Sequence, residues 1–225
     1  HRNESDAEEH IKLILQNIRL SSGAKILDMA CGAGRHAIIF ARKNFDVTAV
    51  DLSESLLAIA KKNADDENLK INFVHSDIRN FKSEDKFNLV LNLFTSFGYF
   101  ETDEENFSVL RKAYDLLIDD GFFVLDFFNS YFLQQNLVES SEENLGKVKI
   151  HQFRKIKENR VTKKIVITKN GNLSHFEESV RMFTKDELVN AIQNIGFDIY
   201  KTFGDFLGNE FEQFTSPRLI MICKK

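Results

Sequence analysis

The chain of 225 residues has no tryptophan, a single proline and only two cysteines. Two cysteines, Cys31 and Cys223, exclude a disulfide framework and fit a reducing, cytoplasmic compartment. Long apolar runs are missing as well, so no segment reads as membrane-spanning. The shown residues carry no targeting signal, although they begin at His1 rather than Met. Excess positive charge is absent too. A net charge of -4 argues against a chain held on nucleic acid by bulk electrostatics. The six histidines show no metal-ligand spacing, so no metal site is expected. What the chain has is a 43% hydrophobic content with 22 phenylalanines, ample for one core.

That core is punctuated by strong start and stop signals. Ser5-x-x-Glu8 has the form of a capping box, followed by an apolar face at Ile11, Ile14, Leu15 and Ile18. Strand 25–29, helix 35–44, strand 46–50, helix 54–64, strand 70–75 and strand 87–94 follow in turn. Thr102-x-x-Glu105 opens the next helix, and Gly121 leads into strand 122–128. Thr184-x-x-Glu187 caps the last helix, Gly196 stops it, and strands 197–203 and 218–224 close the chain. The alternation predicts an α/β fold with a doubly wound, mostly parallel seven-stranded sheet whose last strand is antiparallel. Residues 147–183 break it with three strand-like runs and an Asn170-Gly171 hairpin signal. They read as a small antiparallel flap inserted after the fifth strand and roofing a pocket. The whole, 1–225, reads as one domain: a cofactor-binding core over 22–130, the flap, and a C-terminal part over 184–225.

The most informative stretch is Lys25-Ile-Leu-Asp-Met-Ala-Cys-Gly-Ala-Gly-Arg-His36, with Asp51 at the tip of the second strand. A strand running through a glycine turn into a helix aims backbone N–H groups at a ligand. An acid at the next strand's end can hold a ribose. Gly32 and Gly34 alone leave a dinucleotide open, since Ala37 is a tolerated third position. Asp28 repels a diphosphate and suits a ligand carrying an ammonium and a sulfonium.

Asp28-Met-Ala-Cys-Gly-Ala-Gly34 resembles the first motif of the class I methyltransferases that use S-adenosylmethionine. Val50-Asp51-Leu52-Ser53 resembles the second motif, and His75-Ser76-Asp77-Ile78-Arg79 the third. Asp120 to Leu125 resembles the family's fifth strand and its turn. The resemblance implies S-adenosyl-L-methionine as cofactor, S-adenosyl-L-homocysteine as product, and methyl transfer to a nitrogen or oxygen of a small molecule. It assigns the cofactor to Asp28, Ala30, Gly32, Gly34, Arg35, Asp51, Leu52, Asp77, Ile78 and Leu93, with Asp77 reading the adenine amine.

Asn92 to Phe100 follows the fourth strand and lacks the Pro-Pro pair of DNA-adenine and protein-glutamine methyltransferases. It looks more like small-molecule enzymes, including those acting on amino sugars. Phe94, Tyr99, Asn129 and Arg181 are the candidate substrate residues, and Tyr99 the candidate catalytic one. Asn129 reads equally as a helix cap, and Arg218 as a surface ion-pair partner. The basic stretch 147–164 reads as a solvated hairpin face. A nicotinamide-dependent oxidoreductase and a non-catalytic cofactor-binding regulator are the rival readings.

Overall fold

The computed structural model describes residues 4–225. Helix α1 (Glu4–Asn17) already includes Glu4, so Ser5 lies inside the first turn and does not cap it. The cap itself falls outside the described residues. Then come β1 (Lys25–Met29), α2 (Arg35–Arg42), β2 (Asp46–Asp51), α3 (Glu54–Asp66), β3 (Asn72–His75), β4 (Phe87–Asn92) and α4 (Asp103–Leu116). β5 (Leu117–Phe128) and α5 (Ser130–Gln135) complete the core. A second sheet holds β6 (Ser140–Leu145), β7 (Val148–Lys157), β8 (Arg160–Lys169) and β9 (Asn172–Arg181). α6 (Lys185–Ile195), β10 (Asp198–Phe203) and β11 (Arg218–Lys224) end the chain. Among the described residues no helix is long and apolar enough to cross a membrane.

The main sheet has the order β10-β11-β5-β4-β1-β2-β3. β1 runs parallel to both β2 and β4, and β11 runs antiparallel to β5 and β10. Strand order reverses between β1 and β4, and the crevice beyond their C-terminal ends is where such sheets bind ligands. Side-chain alternation splits the core between two faces. Leu27, Val90, Phe123 and Leu125 pack under α4 and α6. Ile26, Leu89, Leu91, Val124 and Ile222 pack under α1 and α2. Both faces are covered, which is why the strands read as continuous apolar runs. Thr102 and Thr184 form full capping boxes with Glu105 and Glu187.

Three of the differences from the sequence expectation bear on the site. β4 stops at Asn92 because Phe94 and Thr95 turn left-handed, at φ 54° and 64°. β5 begins five residues early: Leu117 pairs with Phe87 before the register shifts. The flap has four strands, since Ser140–Leu145 pairs with β7 from Val148 to Phe153. β6 has no apolar alternation to betray it; backbone pairing to a neighbour and the tight turn at Gly146 (φ 62°) make it a strand. Asn170 and Gly171, at φ 52° and 83°, form the expected hairpin turn between β8 and β9.

Candidate functional site

The glycine loop after β1 is built to leave donors unspent. Cys31 N–H bonds to Val50 O and ties the loop to β2, and Gly34 N–H closes back on Cys31 O. Ala30, Gly32 and Gly34 all have positive φ. α2 then begins at Arg35 with no side-chain cap, so its first amides point outward for a ligand. Gly34 is required twice over: its φ is 78°, and an added Cβ would sit 2.8 Å from Ala60 Cβ on α3. Gly34→Ala is expected to lower stability by about 1–2 kcal/mol through left-handed strain. A urea unfolding midpoint equal to wild type would contradict that.

Asp28 lies beneath this loop, 2% exposed. Burial, then the negative charge of Asp51, push its carboxyl up to about 7, while the Ala37 backbone N–H opposes the shift. Its Oδ2 has no hydrogen-bond partner among the described residues. Asp51 is also buried and organises the loop: Oδ2 accepts from Gly32 N–H at 2.7 Å and Oδ1 from Ser53 N–H at 2.8 Å. Beside it Leu52 stands 68% exposed, an apolar plane with nothing over it among the described residues. The Cys31 thiol is raised by burial and stays a thiol.

Asp77, at the turn after β3, is held charged by Arg79, which donates its backbone N–H at 2.8 Å and a guanidinium nitrogen at 2.6 Å. That pairing keeps the carboxyl below its ordinary value. Arg79 also bonds Glu105 at 2.8 Å and lies over the Phe100 ring, fixing the acid to the start of α4. Ile78 and Leu93 are buried in the two cores, at 8% and 4% exposure, and present little surface to a ligand.

Past β4 the backbone is held by a pair the sequence reading missed. Asp126, fully buried on β5, accepts from Phe94 N–H at 2.8 Å through Oδ2, and its carbonyl takes Thr95 N–H at 3.0 Å. Arg218 on β11 donates to Asp126 Oδ1 at 2.8 Å and to Thr95 Oγ1 at 3.1 Å. Arg218 is therefore no surface ion pair but part of the frame of the site. Phe94 packs on His10, His36 and Phe206, with ring centroids 4.8–5.6 Å apart.

Arg35, Phe94, Thr95, Tyr99, Phe128 and Arg218 line one side of a cleft of about 750 Å³, and the flap lines the other through Gln152, Arg154, Val161, Lys163, Glu178 and Val180. The flap thus forms one wall of the space above the sheet. Two expectations need correction. Asn129 caps α5 by accepting from Tyr131 N–H, and its amide donates to the Gln213 and Ser216 carbonyls, so its polar atoms are spent on the scaffold. Arg181 pairs with Asp103 and Glu187 away from the cleft lining. Part of the basic stretch is paired with neighbouring acids, Lys149 with Glu142, Lys164 with Glu177 and Lys157 with Glu158.

A family profile described as a methyltransferase domain matches residues 26–121. A relative from Geobacillus sp. (strain WCH70) with a provisional methyltransferase name is 32% identical over 129 residues, 55% of this chain and 52% of its own length. The chain's match thus spans about half of that relative. The dTDP-3-amino-3,6-dideoxy-alpha-D-glucopyranose N,N-dimethyltransferase of Streptomyces fradiae is 26% identical over 185 residues, 78% of this chain and 71% of that one. A solved S-adenosylmethionine-dependent methyltransferase from Clostridium acetobutylicum ATCC 824 shares the fold. It superposes with a TM-score of 0.87 over 100% of this chain and 92% of that one, at 20% identity.

Proposed function

Since the chain belongs to the class I, S-adenosylmethionine-dependent methyltransferase family, we propose that it moves a methyl group to a nitrogen or oxygen of a small polar molecule. The cofactor supplies an electrophilic methyl on a sulfonium, which the acceptor's nucleophile displaces in line. One observation carries this reading over a nicotinamide enzyme: the partnerless Asp28 Oδ2 under an open glycine loop. A buried carboxylate there suits a cationic ligand and opposes a diphosphate. Asp51 would hold the ribose, Leu52 cover one adenine face and Asp77 meet the adenine amine.

The protein's part is alignment and the exclusion of water. Phe94 and Thr95, pinned by Asp126 and Arg218, set the floor beneath the transferred group. The flap closes the cleft from above. Tyr99, 45% exposed in the cleft lining, can orient the nucleophile through its hydroxyl. A cleft of about 750 Å³ suits a metabolite. The likeness to an amino-sugar N,N-dimethyltransferase favours nitrogen. A labelled-methyl screen should find activity on amines or hydroxylated metabolites and none on DNA, RNA or protein; labelling of a macromolecule alone would overturn the proposal. Tyr99→Phe should lower turnover at least tenfold, about 1.4 kcal/mol of barrier, with cofactor affinity unchanged.

Asp28 gives the site a pH signature. Its folded pKa of about 7 lies above its ordinary 3.8, so the unfolded chain loses that proton first. The contribution of this group to stability therefore falls as pH rises between those values and is level above about 7. A cationic ligand favours the charged form, so binding below about 7 releases a proton and strengthens as pH rises. Calorimetry in two buffers of different ionisation enthalpy reads that proton. Asp28→Asn should abolish the release, flatten the stability slope and weaken S-adenosylhomocysteine; an unchanged buffer dependence would contradict the assignment.

A further inference from the structure

On the reading that this cleft takes the methyl acceptor, we propose that Arg154 and Lys163 form a subsite for an anionic group, a carboxylate or a phosphate, carried by that acceptor.

The two residues are direct cross-strand partners on β7 and β8, on the cleft-facing side of the flap. Like charges opposite each other on a sheet are destabilising. Lys149, Lys157 and Lys164, elsewhere on the flap, have carboxylates at 2.7–3.6 Å. Here the compensation is incomplete. Lys163 reaches only Glu178, at 3.5 Å. Arg154 has no carboxylate partner among the described residues. Its Nη1 donates to Val138 O at 3.2 Å and to Ser141 Oγ at 3.1 Å, and its Nη2 donates to Gln152 Oε1. All three acceptors are neutral, so they orient the guanidinium without discharging it.

A guanidinium has five N–H donors. Three are used in Arg154, all on Nη1 and Nη2, leaving Nε–H and one Nη2 donor. Those two nitrogens form the side fork that takes paired oxygens of a carboxylate or phosphate. Arg160 differs: its guanidinium is spent on the Phe100 and Ser179 carbonyls and the Ser179 hydroxyl, anchoring the flap to the loop after β4. An anion between Arg154 and Lys163 removes the repulsion that the sheet otherwise carries. A sequence that breaks a local rule without internal compensation marks a functional position. The acceptor therefore carries its nucleophile toward Phe94 and Tyr99 and its negative group toward the flap.

The test is side-chain Nε–H NMR on the full chain, free and saturated with S-adenosylhomocysteine, titrated with inorganic phosphate and separately with acetate. One arginine resonance should shift saturably, with a Kd on the order of millimolar. The shift should be lost in Arg154→Gln, and Arg154→Lys and Lys163→Gln should each weaken the response by about fivefold or more. The anion that binds more tightly identifies the acceptor's group. No saturable shift up to roughly 100 mM, or the same shift in Arg154→Gln, would overturn the subsite. Failure of S-adenosylhomocysteine to bind in a parallel calorimetric run would instead overturn the methyltransferase reading, while the titration of the free protein still judges the subsite.

Discussion

Asp126→Ala should lower the stability of the protein by about 3–5 kcal/mol, the range for removing one partner of a buried ion pair. Asp126 is fully buried, and the Arg218 side chain is only 12% exposed. Removing the carboxylate leaves that guanidinium uncompensated and takes the acceptor from Phe94 N–H, whose φ of 54° already carries strain. The double variant Asp126→Ala with Arg218→Met should recover much of the loss, because no charge is then buried alone. Urea unfolding of the single and double variants measures both effects. A loss under about 1 kcal/mol in Asp126→Ala would show that the pair is not the frame described.

Asp51→Ala should raise the Kd for S-adenosylhomocysteine roughly ten- to a hundredfold, about 1.5–3 kcal/mol, as for lost charge-assisted hydrogen bonds. Two effects act in the same direction. The ribose would lose the acceptor proposed for it, and the loop loses the carboxylate that fixes Gly32 N–H and Ser53 N–H. Asp51→Asn separates them. An amide keeps one acceptor oxygen, so it should retain part of the loop order and weaken binding less. Equal affinity in Asp51→Ala and wild type would remove Asp51 from the cofactor site.

The glycine loop, Asp28 and Asp51 were legible in the sequence because their geometry is local. A strand, a turn with glycine at two of its three positive-φ positions and a helix follow one another within one short segment. The mostly parallel, seven-stranded character of the sheet and its antiparallel last strand followed from the alternation of strands and helices. The Asp126–Arg218 pair was not legible, for it depends on β11 returning antiparallel beside β5. One clue was present: an acid inside the apolar run Phe122 to Phe128 needs a buried partner. Asn129 and Arg181 show the opposite error. Both lie near the ends of elements bordering the cleft, but Asn129 turns into its own cap and Arg181 toward the acids of α4 and α6. β6 was missed because its polar residues bury little and it owes its conformation to pairing with β7.

The open loop above Asp28 is proposed to take S-adenosylmethionine. Titration calorimetry of the full chain at neutral pH, with S-adenosylhomocysteine in one cell and NAD in another, tests it most directly. One molecule of S-adenosylhomocysteine should bind per chain, with Kd on the order of micromolar, and NAD should give no measurable heat. NAD binding more tightly than S-adenosylhomocysteine would contradict it.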